Sequence, residues 1–190
     1  NVMPYEMEQF VEEETDLASV TRVGGDIEMI KAFVSAGMPV LAEKGFEGEG
    51  FDGWMGHYQV VTGYNDTAGV FTTQDSYKGA DYPVPYEKFL ADWRAFNYTY
   101  LVIYPKDRRQ QVLDILGMQA YDNFNTQTAL IKSQDDAAGL SDRDLFFALF
   151  NVGTNLVNAK DYARAASAYD SAFANYALLS QEIRPWRIMW

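Results

Sequence analysis

The 190-residue chain contains a single histidine, His57, and no cysteine. His57 stands in Gly56-His57-Tyr58-Gln59-Val60-Val61-Thr62-Gly63-Tyr64-Asn65-Asp66, and residues His57 to Tyr64 read as a strand. A second strand, Gly69 to Asp75, ends in Thr72-Thr73-Gln74-Asp75-Ser76, and the linker Asn65-Asp66-Thr67-Ala68 carries turn-forming residues. An antiparallel hairpin is therefore expected, and it brings an acid on the second strand within reach of the imidazole on the first. That pairing suits general-base chemistry: the ring takes a proton while a carboxylate holds its Nδ1–H and fixes tautomer and orientation. From residue type alone, a lone histidine is more often a surface or core residue than a base.

Other candidates carry less chemistry. Gly48-Glu49-Gly50-Phe51-Asp52-Gly53 has the letters of a dinucleotide fingerprint, but its two acids would repel a pyrophosphate and a strand follows where a helix is required. It reads as a flexible loop. Ser76 lacks a Gly-x-Ser-x-Gly elbow and lies too near Asp75 to flank His57 as a nucleophile. Glu12-Glu13-Glu14 reads as a solvated helix face. Asp135, Asp136, Asp142 and Asp144 lack calcium-loop spacing. No metal or cofactor is expected. Trp54, Trp93 and Tyr64 read as core, with Trp54 also placed to wall a cleft near His57.

The elements that must position the hairpin follow from local pattern. Pro4 to Glu14 and Asp26 to Ala36 read as helices, the second with Asp26 as cap and Ile27, Ile30 and Val34 on one face. Pro39 to Glu43 and Thr99 to Tyr104 read as strands, and Pro85 to Phe96 as an amphipathic helix. Hairpins mixed with helices predict an α+β fold. Residues 1–106 hold 11 of the 14 glycines and five of the six prolines, whereas 107–190 follow a helical period. Two units are expected at that boundary, with Ser133 to Asp144 as the most flexible joint in the second.

In the second unit, Leu149, Val152, Gly153 and Leu156 share one helix. After the turn Asn158-Ala159-Lys160-Asp161, Tyr162, Ala165, Tyr169 and Ala172 share the next. Small residues where two helices cross, with aromatics filling the space between, resemble a tetratricopeptide repeat, although Leu149 replaces the usual opening aromatic and the closing proline is absent at Ala177. Asp107 to Ala138 is expected to form a degenerate preceding hairpin, and Arg184 to Trp190 the start of another helix. Such repeats present a surface for a protein partner.

Charge narrows the partners. Lys and Arg total 15 against 27 Asp and Glu, a net charge of −12, which excludes the basic face that nucleic acid requires. No apolar run approaches the roughly 20 residues of a membrane span.

The run Gly-His-Tyr-x-Val-Val-x-Gly-Tyr-Asn-Asp, followed by Gln74-Asp75-Ser76-Tyr77 and preceded by Gly37-Met38-Pro39-Val40-Leu41, resembles the bacteriocin-processing (double-glycine) cysteine peptidase-like family, which has a papain-like fold. The resemblance covers roughly residues 1–105. Trp54-Met55-Gly56-His57 and Trp93-Arg94-Ala95-Phe96-Asn97 resemble a subgroup with tetratricopeptide-type helices appended. It implies that His57 is the general base, that Asp75 orients it, and that the substrate is a peptide or protein. It leans toward a bacterial cell envelope or extracellular setting. The family's cysteine nucleophile and its preceding glutamine belong upstream of Asn1, so the chain is expected to start mid-domain and to be inactive alone. The helix start at Arg184 to Trp190 gives the matching expectation of a cut at the other end, with self-association or domain swapping through the exposed faces. The competing expectation is a non-catalytic peptide- or protein-binding module that keeps the cleft; a third is a scaffold in which His57 is incidental.

Overall fold

The computed structural model describes residues 2–47 and 54–185. It is α+β, as expected: an antiparallel six-stranded sheet with helices, then a helical region. Helix α1 (Pro4–Glu14) leads into β1 (Leu17–Arg22), α2 (Ile27–Ser35), β2 (Val40–Phe46), β3 (Met55–Asn65), β4 (Val70–Asp75) and β5 (Gly79–Pro85). Helix α3 (Tyr86–Arg94) and β6 (Tyr100–Pro105) complete this part, followed by α4 (Arg109–Leu116), α5 (Asp122–Gly139), α6 (Asp142–Asn158) and α7 (Tyr162–Leu178). The strand order is β1-β6-β2-β3-β4-β5. The loop Gly48 to Gly53 and most of the helix expected from Arg184 lie outside the described residues.

The β3–β4 hairpin forms as its turn residues require: Asn65 Oδ1 accepts from the Ala68 N–H at 3.0 Å, and Gly69 adopts φ +66°. The Asp26 cap is also made, its carboxylate accepting from the Met29 N–H at 2.7 Å. Two strands, β1 and β5, escape sequence pattern. β5 contains Pro83 and Pro85, which lack the N–H of a ladder donor and are tolerated because β5 is an edge strand. β1, the other edge, has mixed polarity, and the Thr21 N–H is capped by Glu8 of α1 at 2.7 Å.

The main core lies between the sheet and helices α2 and α3. Ile30, Phe33, Val40, Val61, Phe71, Phe89, Trp93 and Val102 are fully buried there. Val112 and Leu116 of α4 join this same core. The hairpin expected over Asp107 to Ala138 is therefore corrected: α4 packs on α2, while α5 packs on α6, because the apolar face of α4 completes the sheet's core.

The flexible joint expected at Ser133 to Asp144 is corrected too. α5 runs unbroken to Gly139, and two of its polar residues there, Ser133 and Asp136, meet partners on neighbouring elements. Ser133 is buried and accepts from Asn155 at 3.3 Å, and Asp136 accepts from the Tyr98 hydroxyl at 2.7 Å. These contacts clamp the turn between α3 and β6, where Asn97 and Tyr98 both adopt positive φ, of 53° and 52°. Such backbone persists only where its surroundings over-determine it. Here Asn97 and Asn155 exchange side-chain amide bonds at 2.7 and 3.1 Å, and the Lys132 ammonium lies 3.6 Å from the Tyr98 ring centroid.

α6 and α7 form an antiparallel pair. A Cβ on Gly153 would stand 2.7 Å from the Tyr169 ring, so glycine is what lets the aromatic cross there. No described helix is long and apolar enough to cross a membrane.

Candidate active site

The hairpin brings His57 and Asp75 together. His57 Nε2 lies 3.0 Å from Asp75 Oδ2, with the imidazole 15% exposed and the carboxylate 1%. The register explains the meeting. Residues two apart on a strand share a face, and Val61 opposes Thr73, so His57, Gln59 and Val61 look the same way as Thr73 and Asp75. A bulge between Val61 and Gly63 absorbs one residue, which sets that register against the turn.

The nitrogen facing the carboxylate is Nε2, not the Nδ1 expected from sequence. An ionised carboxylate only accepts, so in the neutral ring Nε2 carries the proton and Nδ1 presents its lone pair. The orienting logic survives with the two nitrogens exchanged.

Asp75 is saturated. Its Oδ1 accepts from the backbone N–H groups of Tyr77 at 2.8 Å and Lys78 at 2.9 Å, and its Oδ2 from Gln59 Nε2 at 2.8 Å as well as from His57. Desolvation pushes its pKa up, but the N–H groups of Lys78 and Tyr77, with His57 beside it, outweigh burial and hold the carboxyl below its usual range. The pair is thus built around a fixed negative charge.

An aromatic set frames the ring. Phe46 lies 4.8 Å from the imidazole centroid, and Tyr77 meets Phe46 edge-on at 5.0 Å. Lys44, opposite His57 in the β2–β3 register, is buried, with Asp92 at 3.5 Å. Burial lowers the Lys44 pKa, and Asp92 opposes that shift. Sequence reading missed Gln59, Lys44, Phe46 and Tyr77. The signal for Gln59 was present: an amide two residues beyond His57 must share its face, inside an otherwise apolar strand.

The remaining candidates fall elsewhere. Ser76 is exposed in the turn after β4. Trp93 is core, Tyr64 is exposed with its ring beside Lys31, and Trp54 is nearly buried against Phe96 and Phe147, on the wall of a cleft that also involves Phe46. Glu12 to Glu14 are exposed, and among the described residues no cluster of His, Asp or Glu suited to a metal ion occurs.

One titratable group lies across the sheet from the pair. Glu43 alternates with Lys44 and so faces the other side, opposite Tyr58. Desolvation pushes its carboxyl up to about 7, against a smaller opposing effect of the Tyr58 hydroxyl. The folded state therefore favours the neutral acid. Between the ordinary carboxylate range and pH 7 the unfolded chain loses this proton first, so stability falls as pH rises through that window. The expected loss is on the order of 2–3 kcal/mol. Urea unfolding at pH 5 and pH 8 should show it in the native chain, with Glu43→Gln removing that part of the pH dependence; an unchanged dependence in the variant contradicts it.

A model of the Peptidase_C39-like family matches residues 2–101, more than half of the chain. A crystal structure of a Bacillus anthracis protein, provisionally described as a C39-like peptidase, is 24% identical with a TM-score of 0.36. The match covers 45% of this chain and 50% of that one, so the chain spans half the length of this relative. No curated protein matches. The span of the family match takes in α1 through the first residues of β6, including both His57 and Asp75, and on that match the chain belongs to the peptidase C39-like family.

Proposed function

We propose that residues 1–106 are the His/Asp-bearing portion of a papain-like cysteine peptidase-like protein that hydrolyses peptides, and that within residues 107–190 the helices beyond α4 form a tetratricopeptide-like region for binding a protein partner. The observation that carries the first part is the His57–Asp75 contact at 3.0 Å on a carboxylate already anchored by two backbone N–H groups. The chain has no cysteine, so the nucleophile comes from residues outside these 190. His57 Nδ1 takes the thiol proton, and the thiolate attacks the scissile carbonyl. The imidazolium, steadied through Nε2–H by Asp75, returns the proton to the leaving amine. For the second part, the support is the antiparallel α6–α7 pair with Gly153 packed against Tyr169.

The test uses the longest protein encoded with these residues. If that protein carries an upstream thiol, its alkylation by iodoacetamide near neutral pH should fall about 10²-fold or more in His57→Ala. An alkylation rate independent of His57 overturns the catalytic reading. The absence of cysteine from these residues favours the second reading, a peptide- or protein-binding module without catalysis. It is supported instead if the encoded protein has no upstream cysteine and still binds peptide.

A further inference from the structure

Gln59 is 1% exposed, and its two amide atoms have unequal fates. Nε2 donates to Asp75 Oδ2 at 2.8 Å, while Oε1 is buried and, among the described residues, accepts no hydrogen bond. A buried acceptor without a donor is destabilising, and native structures keep such groups rarely. An apolar side chain of the same length would fill the space without that penalty, so packing alone does not account for an amide here. What the amide supplies is a donor on the very oxygen that meets His57 Nε2 at 3.0 Å.

We propose that Gln59 is a positioning residue for the His57–Asp75 pair, resting on the general-base reading given above. The carboxylate is held at three points besides the imidazole: the N–H groups of Tyr77 and Lys78 on Oδ1, and the Gln59 amide on Oδ2. The two backbone donors fix one oxygen but leave the carboxylate able to rock about it. Gln59 fixes the second oxygen, which keeps the imidazole ring plane aligned and Nδ1 aimed outward. It does so from the same strand as His57, so donor and base keep one spacing against Asp75 on the neighbouring strand. The geometry gives the residue a role through Asp75, not through contact with substrate.

This separates stability from function in a way a filler residue would not. In Gln59→Met and Gln59→Leu the removal of the unpartnered Oε1 offsets the lost bond to Asp75, so the melting temperature should change little. The hydrogen on His57 Nε2 should meanwhile exchange with solvent roughly tenfold faster, because one anchor of its acceptor is lost. Both are measurable on this chain, whose imidazole signal comes from one residue. A lower melting temperature with unchanged exchange, or no change in either quantity, would overturn the assignment. Asp75→Asn in the same series tells the two layers apart. If it fails to move the ring proton from Nε2, the general-base reading fails; if it moves it and Gln59→Met leaves exchange unaltered, only the role of Gln59 fails.

Discussion

Asp75→Asn is expected to leave the fold in place and reduce peptide hydrolysis by about 10⁴-fold in a protein that supplies the thiol, the loss that follows when a base is held in the wrong tautomer. The reason lies in the donors around the carboxylate. Oδ1 accepts from two backbone N–H groups, those of Tyr77 and Lys78. An asparagine amide cannot turn its NH₂ toward two donors, so its oxygen must occupy that position. Its NH₂ then faces His57 Nε2 and Gln59. The imidazole answers by presenting a bare Nε2 and carrying its proton on Nδ1, the nitrogen that must be free to accept. Gln59 can rotate so that its unpartnered Oε1 accepts the second amide hydrogen. Stability should consequently fall by less than about 2 kcal/mol. Measured kcat with near-native urea midpoints would show the split; activity within tenfold of the parent would refute it.

Trp54→Ala is expected to destabilise the chain by about 3–5 kcal/mol. Trp54 is 9% exposed, stacked on Phe96 at 5.5 Å with rings 11° apart, and 4.7 Å from Phe147 of α6. Gly45 of β2 makes room for it, since a Cβ there would stand 2.4 Å from the indole Nε1. The indole thus ties three things together: the end of β2, the start of β3 three residues before His57, and the helical region. Its removal leaves a cavity that the surrounding rings cannot close. Faster hydrogen exchange is expected in β3 near His57 and in α6, with little change in α2. Trp54→Phe should recover part of the loss. An Ala variant within 1 kcal/mol of the parent in urea unfolding would show that this packing contributes little.

Much of the positioning machinery was legible because it is local. The hairpin followed from alternation flanking a turn-forming linker, and α2 from its Asp26 cap and apolar face. Four strands, the helices around them and the reach of an acid on β4 to His57 needed no more than that; the roles of His57 and Asp75 came from the family resemblance. What escaped depends on long-range context. β5 reads as a non-strand because of Pro83 and Pro85, and only its place at the sheet's edge makes those prolines harmless. Ser133 and Asp136 read as a polar joint because their partners, Asn155 and Tyr98, are 22 and 38 residues away. The side of the imidazole that meets Asp75 depends on a ring rotation that no residue pattern records. Gln59 was visible as an inward polar residue, but its partner and its unpartnered oxygen were not.

The central claim is that Asp75 holds His57 with its proton on Nε2 and Nδ1 bare. The ¹⁵N spectrum of the neutral imidazole tests it most directly, because the chain has one histidine and the signals need no separation. The account predicts a protonated Nε2 and a lone-pair Nδ1 in the native chain, exchanging places in Asp75→Asn. A native ring protonated on Nδ1, or the same tautomer in both proteins, would contradict it.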